Sequence, residues 1–398
     1  MRNHLYKVSL TKDSIGNESQ KLSYLKKYLI LDKDLDEDIN QKFPISYFGN
    51  ENETLKIKGA KGLIDAFDEI DSGKFDFNET LKNIRFIGIN DEGEIGIEFP
   101  NENINAYGIY DFTSDLLDPF HLTKYVRYCI NKEYTDIIKF NIDEQLNRDK
   151  EKEKQFRLLR DKNDELRIRG ITSTLYKNYD NNIVLYLSLL ALHKYAKKED
   201  IFYYVDRANI SDSSLYIFFE QEKSIKIPKI GDIYFGLAVS NGEIRNKTFK
   251  AEVRYKIVNP KNKTSFSAIF TTPVFSIVHN MSLPKIESNL ENLFKLDEHE
   301  KSVINFIEKL QNIEILTEDS IYFLISDLLE KISDCSDISK KTRDEFKKEE
   351  VDIMLRGTLT LVEFFGKLNT IVTDMDEKIF IERIFHKVIA DLLNRKRD

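Results

Sequence analysis

Arg157, Arg160, Lys162, Arg167, Arg169 and Lys177 fall within about one predicted strand and its flanks, with Tyr176 and Tyr179 interleaved. Guanidinium groups grip phosphate oxygens bidentately and tyrosine rings stack on unpaired bases, so the combination suits single-stranded nucleic acid. Arg245 and Arg254 supply two further candidate phosphate contacts downstream. The plain alternative is a solvated face, partly neutralised by Asp161, Asp164 and Glu165.

A second chemistry is metal-dependent phosphodiester cleavage. A carboxylate beginning one strand, another on the next and a following basic residue can together hold Mg²⁺ and stabilise charge developing on phosphorus. Asp232, Glu243 or Glu252, and Arg245 or Arg254 follow that order. The fit is poor, because arginine stands where such cores carry lysine, and Glu252 and Arg254 share the charged face of a strand. No catalytic residue is assigned, and the reading leans away from an enzyme. No cofactor is expected unless the nuclease alternative holds, which would bring Mg²⁺.

No resident metal site is expected either. The six histidines are scattered without HxH, HExxH or Cys–His pairing. The acidic run at 32–38 fails as an EF-hand, since Glu37 occupies the turn glycine's place and Phe43 that of the bidentate carboxylate. GxSxG, Walker A and GxGxxG patterns are absent, which lowers the case for hydrolases, NTPases and dinucleotide enzymes.

The elements that must position these residues follow from periodicity. Residues 84–89 and 94–99 flank Asn90, Asp91 and Gly93 and predict a β-hairpin. Phe249, Ala251, Val253, Tyr255 and Ile257 alternate with Lys250, Glu252, Arg254 and Lys256, the period of a strand with one core face and one charged face. Strands are also expected near 165–173, 215–219, 224–230, 233–240 and 265–275, and a buried helix over 183–196. Asn241-Gly242 predicts a turn before the strand from 248. Residues 147–155 are expected to be a solvated helix end or linker and 334–350 an exposed connector. Beyond Pro284 the pattern is helical, with a capping box at Ser288–Glu291 starting one helix and Thr317 capping another.

These elements predict an α+β protein with a central antiparallel or mixed sheet and accompanying helices. A small N-terminal α/β module (1–104) precedes a central α+β domain (105–284), and a C-terminal helical region (285–398) packs on it as a layer. The net charge of −8 argues against a surface that coats phosphate throughout, leaving room for a local basic patch. Two cysteines far apart exclude a disulfide framework. The N-terminus lacks a signal-peptide core and the longest apolar run, 183–192, is too short for a membrane helix. The expectation is a cytoplasmic protein with no membrane partner.

Residues 166–182, LRIRGITSTLYKNYDNN, resemble the R-x-hydrophobic-x-S-x-x-Y-x-x-hydrophobic-D-N segment of a family of phage- and plasmid-encoded proteins of unknown function. The matching positions are Arg169, Ser173, Tyr176, Asp180 and Asn181. Gly231-Asp232 and residues 236–244 are similar to a second family segment, with Gly242 where the family has serine. Val258-Asn259-Pro260 replaces its C-x-N. The likeness spans roughly 105–395. It implies a strand entering a turn and a buried helix, and a setting among mobile elements or phage conflict; it transfers no catalytic residue. The resulting expectation is a non-catalytic nucleic-acid-binding protein in a phage, plasmid or anti-phage defence setting. Its alternatives are a scaffold or sensor subunit that binds a protein partner or a second copy of itself, and the metal-dependent nuclease.

Overall fold

The computed structural model describes residues 4–29, 34–71, 73–244, 248–279, 281, 283–293, 295–313, 315–354 and 359–395. β1 (Lys7–Thr11), α1 (Lys12–Ile15), α2 (Asp34–Lys42), α3 (Ile45–Phe48), β2 (Ile57–Lys58) and α4 (Ala60–Ile70) open a large unit. A smaller unit is then inserted. It comprises β3 (Lys74–Thr80), β4 (Arg85–Ile89), β5 (Ile95–Phe99), β6 (Ile104–Gly108), α5 (Phe112–Leu117), α6 (Thr123–Asn131), α7 (Thr135–Arg148), β7 (Glu153–Arg160) and β8 (Leu166–Ser173). The chain rejoins the large unit through α8 (Asn181–Lys198), β9 (Tyr203–Ser211), β10 (Ser214–Gln221), β11 (Ile225–Ile227), β12 (Gly231–Gly242), β13 (Phe249–Val258) and β14 (Ser265–Ile277). It ends in α9 (Leu283–Leu293), α10 (Leu296–Glu308), β15 (Ile315–Leu316), α11 (Glu318–Asp334), α12 (Lys340–Met354), β16 (Leu359–Thr360), α13 (Leu361–Asn369) and α14 (Met375–Arg395).

The large sheet runs β1-β9-β10-β12-β13-β14, with β11 beside β12 and β2 parallel to β9. The small sheet runs β3-β7-β8-β6-β5-β4, with β6 parallel to β8 and the other neighbours antiparallel. The protein is therefore α+β, as the alternating short strands require. Each sheet has its own apolar core: Phe99, Phe112, Phe156 and Ile168 centre the small one, whereas α8 and one face of β9–β14 build the large one. Among the described residues, no helix is long and apolar enough to cross a membrane.

Local signals produce the expected elements where neighbours in sequence suffice. Asn90 closes the β4–β5 hairpin by accepting the amides of Glu92 (3.1 Å) and Glu94 (2.8 Å) on Oδ1, and Gly93 takes a φ of +79°. α8 is apolar all round and buried on every side, as such a helix must be. Thr317 caps α11 by accepting the Ser320 amide at 3.3 Å.

Other expectations are displaced by tertiary structure. The division at 104 falls on the first residue of β6, inside the small sheet; residues 7–70 instead belong with the large sheet, because β1 pairs with β9. Ser288 lies within α9 rather than at its start, since Pro284 already supplies the favourable first-turn residue. Residues 340–354 form α12, anchored by buried Phe346 and Ile353, an apolar spacing too sparse to stand out against its charges. Asn241 and Gly242 continue β12 instead of turning. The charged face of β13 is not solvated. Glu252 and Arg254 are each 3% exposed because α14 lies over them.

Candidate functional site

The two apolar cores meet at a buried ionic cluster. β3 and its leading loop bring Asp71, Lys74 and Asp76; β7 brings Arg157 and β8 Arg169; Asp180 stands at the start of α8, and Glu243 follows β12. Glu243 is fully buried and acts as the hub. Its Oε1 accepts the Asn181 amide at 3.0 Å and Lys74 Nζ at 3.1 Å, while Arg169 Nη1 donates to Oε2. The first turn of α8 is thus capped from another strand, not by its own Asp180 side chain. Arg157 forks onto Asp76 at 3.2 and 3.0 Å, reaches Asp180 at 2.6 Å and donates to the Glu243 carbonyl at 2.5 Å. Burial alone would push the Glu243 carboxyl up, but Lys74, Arg169 and Arg157 with the Asn181 amide hold it well below the usual carboxylate range. Burial likewise opposes the charge on Arg157, and Asp180, Asp76 and Glu243 outweigh it.

The two segments that carry the family resemblance converge here. Tyr176 donates its hydroxyl to the Glu243 carbonyl at 3.1 Å, and Asn241 donates to the Tyr179 carbonyl and Asn181 Oδ1, both at 3.0 Å. These residues lock the small unit to the large one. These neutral hydrogen bonds surround the charge pairs that Arg157, Arg169 and Lys74 make with Asp76, Asp180 and Glu243, contacts between distant segments of which sequence spacing gave no sign.

The expected phosphate contacts must be revised accordingly. Arg157 and Arg169 are 0% and 1% exposed, and Arg254 is held by Glu382 (2.8 Å), Asp206 (3.1 Å) and Ser267 (2.8 Å) under α14. A phosphate cannot reach a guanidinium that the fold has buried against its own carboxylates. Arg167 is mostly covered and pairs with Asp161 at 2.9 Å and Glu165 at 2.7 Å. Arg160 is exposed but pairs with Asp164 at 3.2 Å. Lys177 is half-buried, and Tyr176 stacks on His279 with ring centroids 4.7 Å apart. Arg245 lies outside the described residues.

The nuclease constellation does not assemble. Asp232 opens the strand that Glu243 follows, so the two carboxylates stand about 35 Å apart along β12 and cannot share one ion. Asp232 instead lines a cleft with Lys226, Lys229 and Lys261, and Glu252 is gripped by Arg383 at 2.9 Å. Among the described residues, no group of three or more His, Cys, Asp or Glu is placed to hold a metal ion. Ser213, His4 and Asp212 do meet, but both neighbours contact the same imidazole nitrogen, Nδ1, at 3.1 and 3.2 Å. A serine hydrolase needs one nitrogen for each partner, and Ser213 is fully buried.

A different surface keeps cations and aromatic rings in the open. On α6, Lys124, Tyr125, Arg127 and Tyr128 are exposed, followed by Lys132 and Tyr134. Tyr125, Tyr128 and Lys132 are spaced three and four apart and share one stripe, with Lys124 and Arg127 beside it. Tyr128 is 54% exposed. The inward residues Val126 and Cys129 seat the helix on the small core. α6 itself carries no acidic residue, although Glu133 lies between Lys132 and Tyr134, and that local signal was readable in the sequence TKYVRYCINK.

Comparison with protein-family models, curated proteins and solved structures gave no match to this chain.

Proposed function

We propose that the chain is a non-catalytic protein that binds single-stranded nucleic acid through α6. The observation that carries this reading is the exposed stripe of Tyr125 and Tyr128 set among Lys124, Arg127 and Lys132. Bases stack on exposed rings without sequence preference, while neighbouring cations follow the phosphates. The phage, plasmid or anti-phage setting rests on the resemblance of 166–182 and 231–244 alone.

A binding series with single- and double-stranded DNA and RNA tests the reading. Affinity for single strands should fall with added salt, log K losing about 0.7 per decade for each phosphate engaged. Absence of binding to any of these at low salt refutes it. A second reading, docking of a protein partner, draws on Phe140 and Ile137 of α7, 71% and 40% exposed next to this surface. That reading predicts salt-tolerant co-purification of a defined partner that is lost in Phe140→Ser, and unchanged co-purification in that variant refutes it.

A further inference from the structure

A cavity of about 710 Å³ opens where the polar face of the large sheet meets α14, the β8–α8 connection and the segment after β14. Its sheet side is a row of three adjacent residues, Tyr216, Ser240 and Lys250, in register across β10, β12 and β13. Phe380 and Arg383 of α14 line it, as do the stacked rings of Tyr176 and His279.

His279, Thr248 and Lys250 are among the polar groups at this cavity that lack protein partners among the described residues, and exposed Asp337 adds one carboxylate to its lining. His279 is 6% exposed, and its Nδ1 sits 3.2 Å from the Lys177 carbonyl. A carbonyl only accepts, so Nδ1 carries the proton and Nε2 is left as a bare, buried acceptor with no partner. Thr248 Oγ1 is buried and unpartnered as well. Lys250 has no carboxylate within ion-pair reach, whereas its neighbour Arg383 is already neutralised by Glu252. Buried polar atoms left in this state cost stability until something fills them.

The required ligand must therefore present an anion to Lys250, a hydrogen-bond donor to His279 and a flat body to Tyr176 and Phe380. A fatty acid brings the anion but no donor; a sugar phosphate brings both but no planar ring. We propose that this cavity binds a nucleotide, with phosphate at Lys250, the base against the aromatic rings, and a ring N–H or ribose hydroxyl donating to His279 Nε2. This site shares no residue with the α6 surface, so the two stand or fall separately.

Isothermal titration of the full chain with each ribonucleoside 5′-monophosphate, with the nucleosides and with inorganic phosphate tests it. At least one monophosphate should bind more tightly than its nucleoside or phosphate alone. Lys250→Ala should weaken it about tenfold or more, as expected for losing a charge-assisted contact, and His279→Phe should weaken it with the thermal midpoint held. Lys301→Ala, an exposed change on α10, should bind as wild type. No binding at about 1 mM, a level corresponding to only about 4 kcal/mol, overturns the proposal, and so does equal affinity in folded Lys250→Ala.

Discussion

The β7–β8 strands and α6 both carry arginine or lysine near tyrosine, and the difference between them lies in what the rest of the chain brings to each. Asp76 reaches Arg157 from 81 residues away and Glu243 reaches Arg169 from 74. No acidic residue occurs within α6, and its cations face outward. A buried arginine is tolerable only when carboxylates and hydrogen bonds replace its lost water. The same residue type thus becomes a structural tie in one place and an exposed cation in the other. Long-range pairing decides which.

The largest expected effect separates the two regions by stability. Glu243→Ala leaves Lys74 and Arg169 buried without their shared carboxylate and removes the cap of α8, so it should cost about 3–5 kcal/mol in urea unfolding. Lys124→Ala should stay within about 0.5 kcal/mol of wild type, as surface changes do. Equal losses in the two variants would erase the distinction.

Acid sharpens it next. Because the Glu243 carboxyl is held below its ordinary value in the fold, its contribution is complete above the unfolded value of about 4.3 and is lost as pH falls below it. Wild type should therefore lose more stability between pH 6 and 3 than Glu243→Gln, measured by urea midpoints. Oligonucleotide binding through lysine and arginine should be level from pH 7 to 6, where neither titrates.

On α6, Tyr128→Ala should weaken single-strand affinity by about 1–3 kcal/mol, the value of one stacked base, with an unchanged thermal midpoint. A fluorescence anisotropy titration checks this; unchanged affinity removes Tyr128 from the surface. The smallest effect is in slope. Lys124→Ala should reduce the dependence of log K on log salt by about 0.7 for a single strand, while Arg160→Ala, already paired with Asp164, should leave the slope as it was.

Much of the fold was legible locally. The Asn90 hairpin, α8 and the alternation of β13 each depend on neighbours a few residues apart, and each forms where the pattern places it. What escaped depends on distance along the chain. The charged face of β13 is buried because Glu382, 128 residues beyond Arg254, arrives on α14. β1 joins β9 some two hundred residues later, so an N-terminal stretch with good local signals is not a unit of its own. At the candidate site, Glu243 stood out in sequence as a carboxylate near a strand end, yet its role as a cap for α8 depends on a contact 62 residues back. The exposed basic and aromatic stripe of α6 was readable by helical spacing, but the stronger arginine cluster downstream drew the functional reading to residues that the fold encloses.

The cap on α8 also makes one proton informative. The Asn181 amide bonds to the carboxylate of Glu243, just after β12, which is simultaneously tied to β8 through Arg169. Its exchange with solvent deuterium therefore reports when the first turn of α8 parts from Glu243, the residue on which the inserted sheet is also anchored through Arg169. A single backbone position becomes a gauge of the one carboxylate to which two separately cored bodies are both tied.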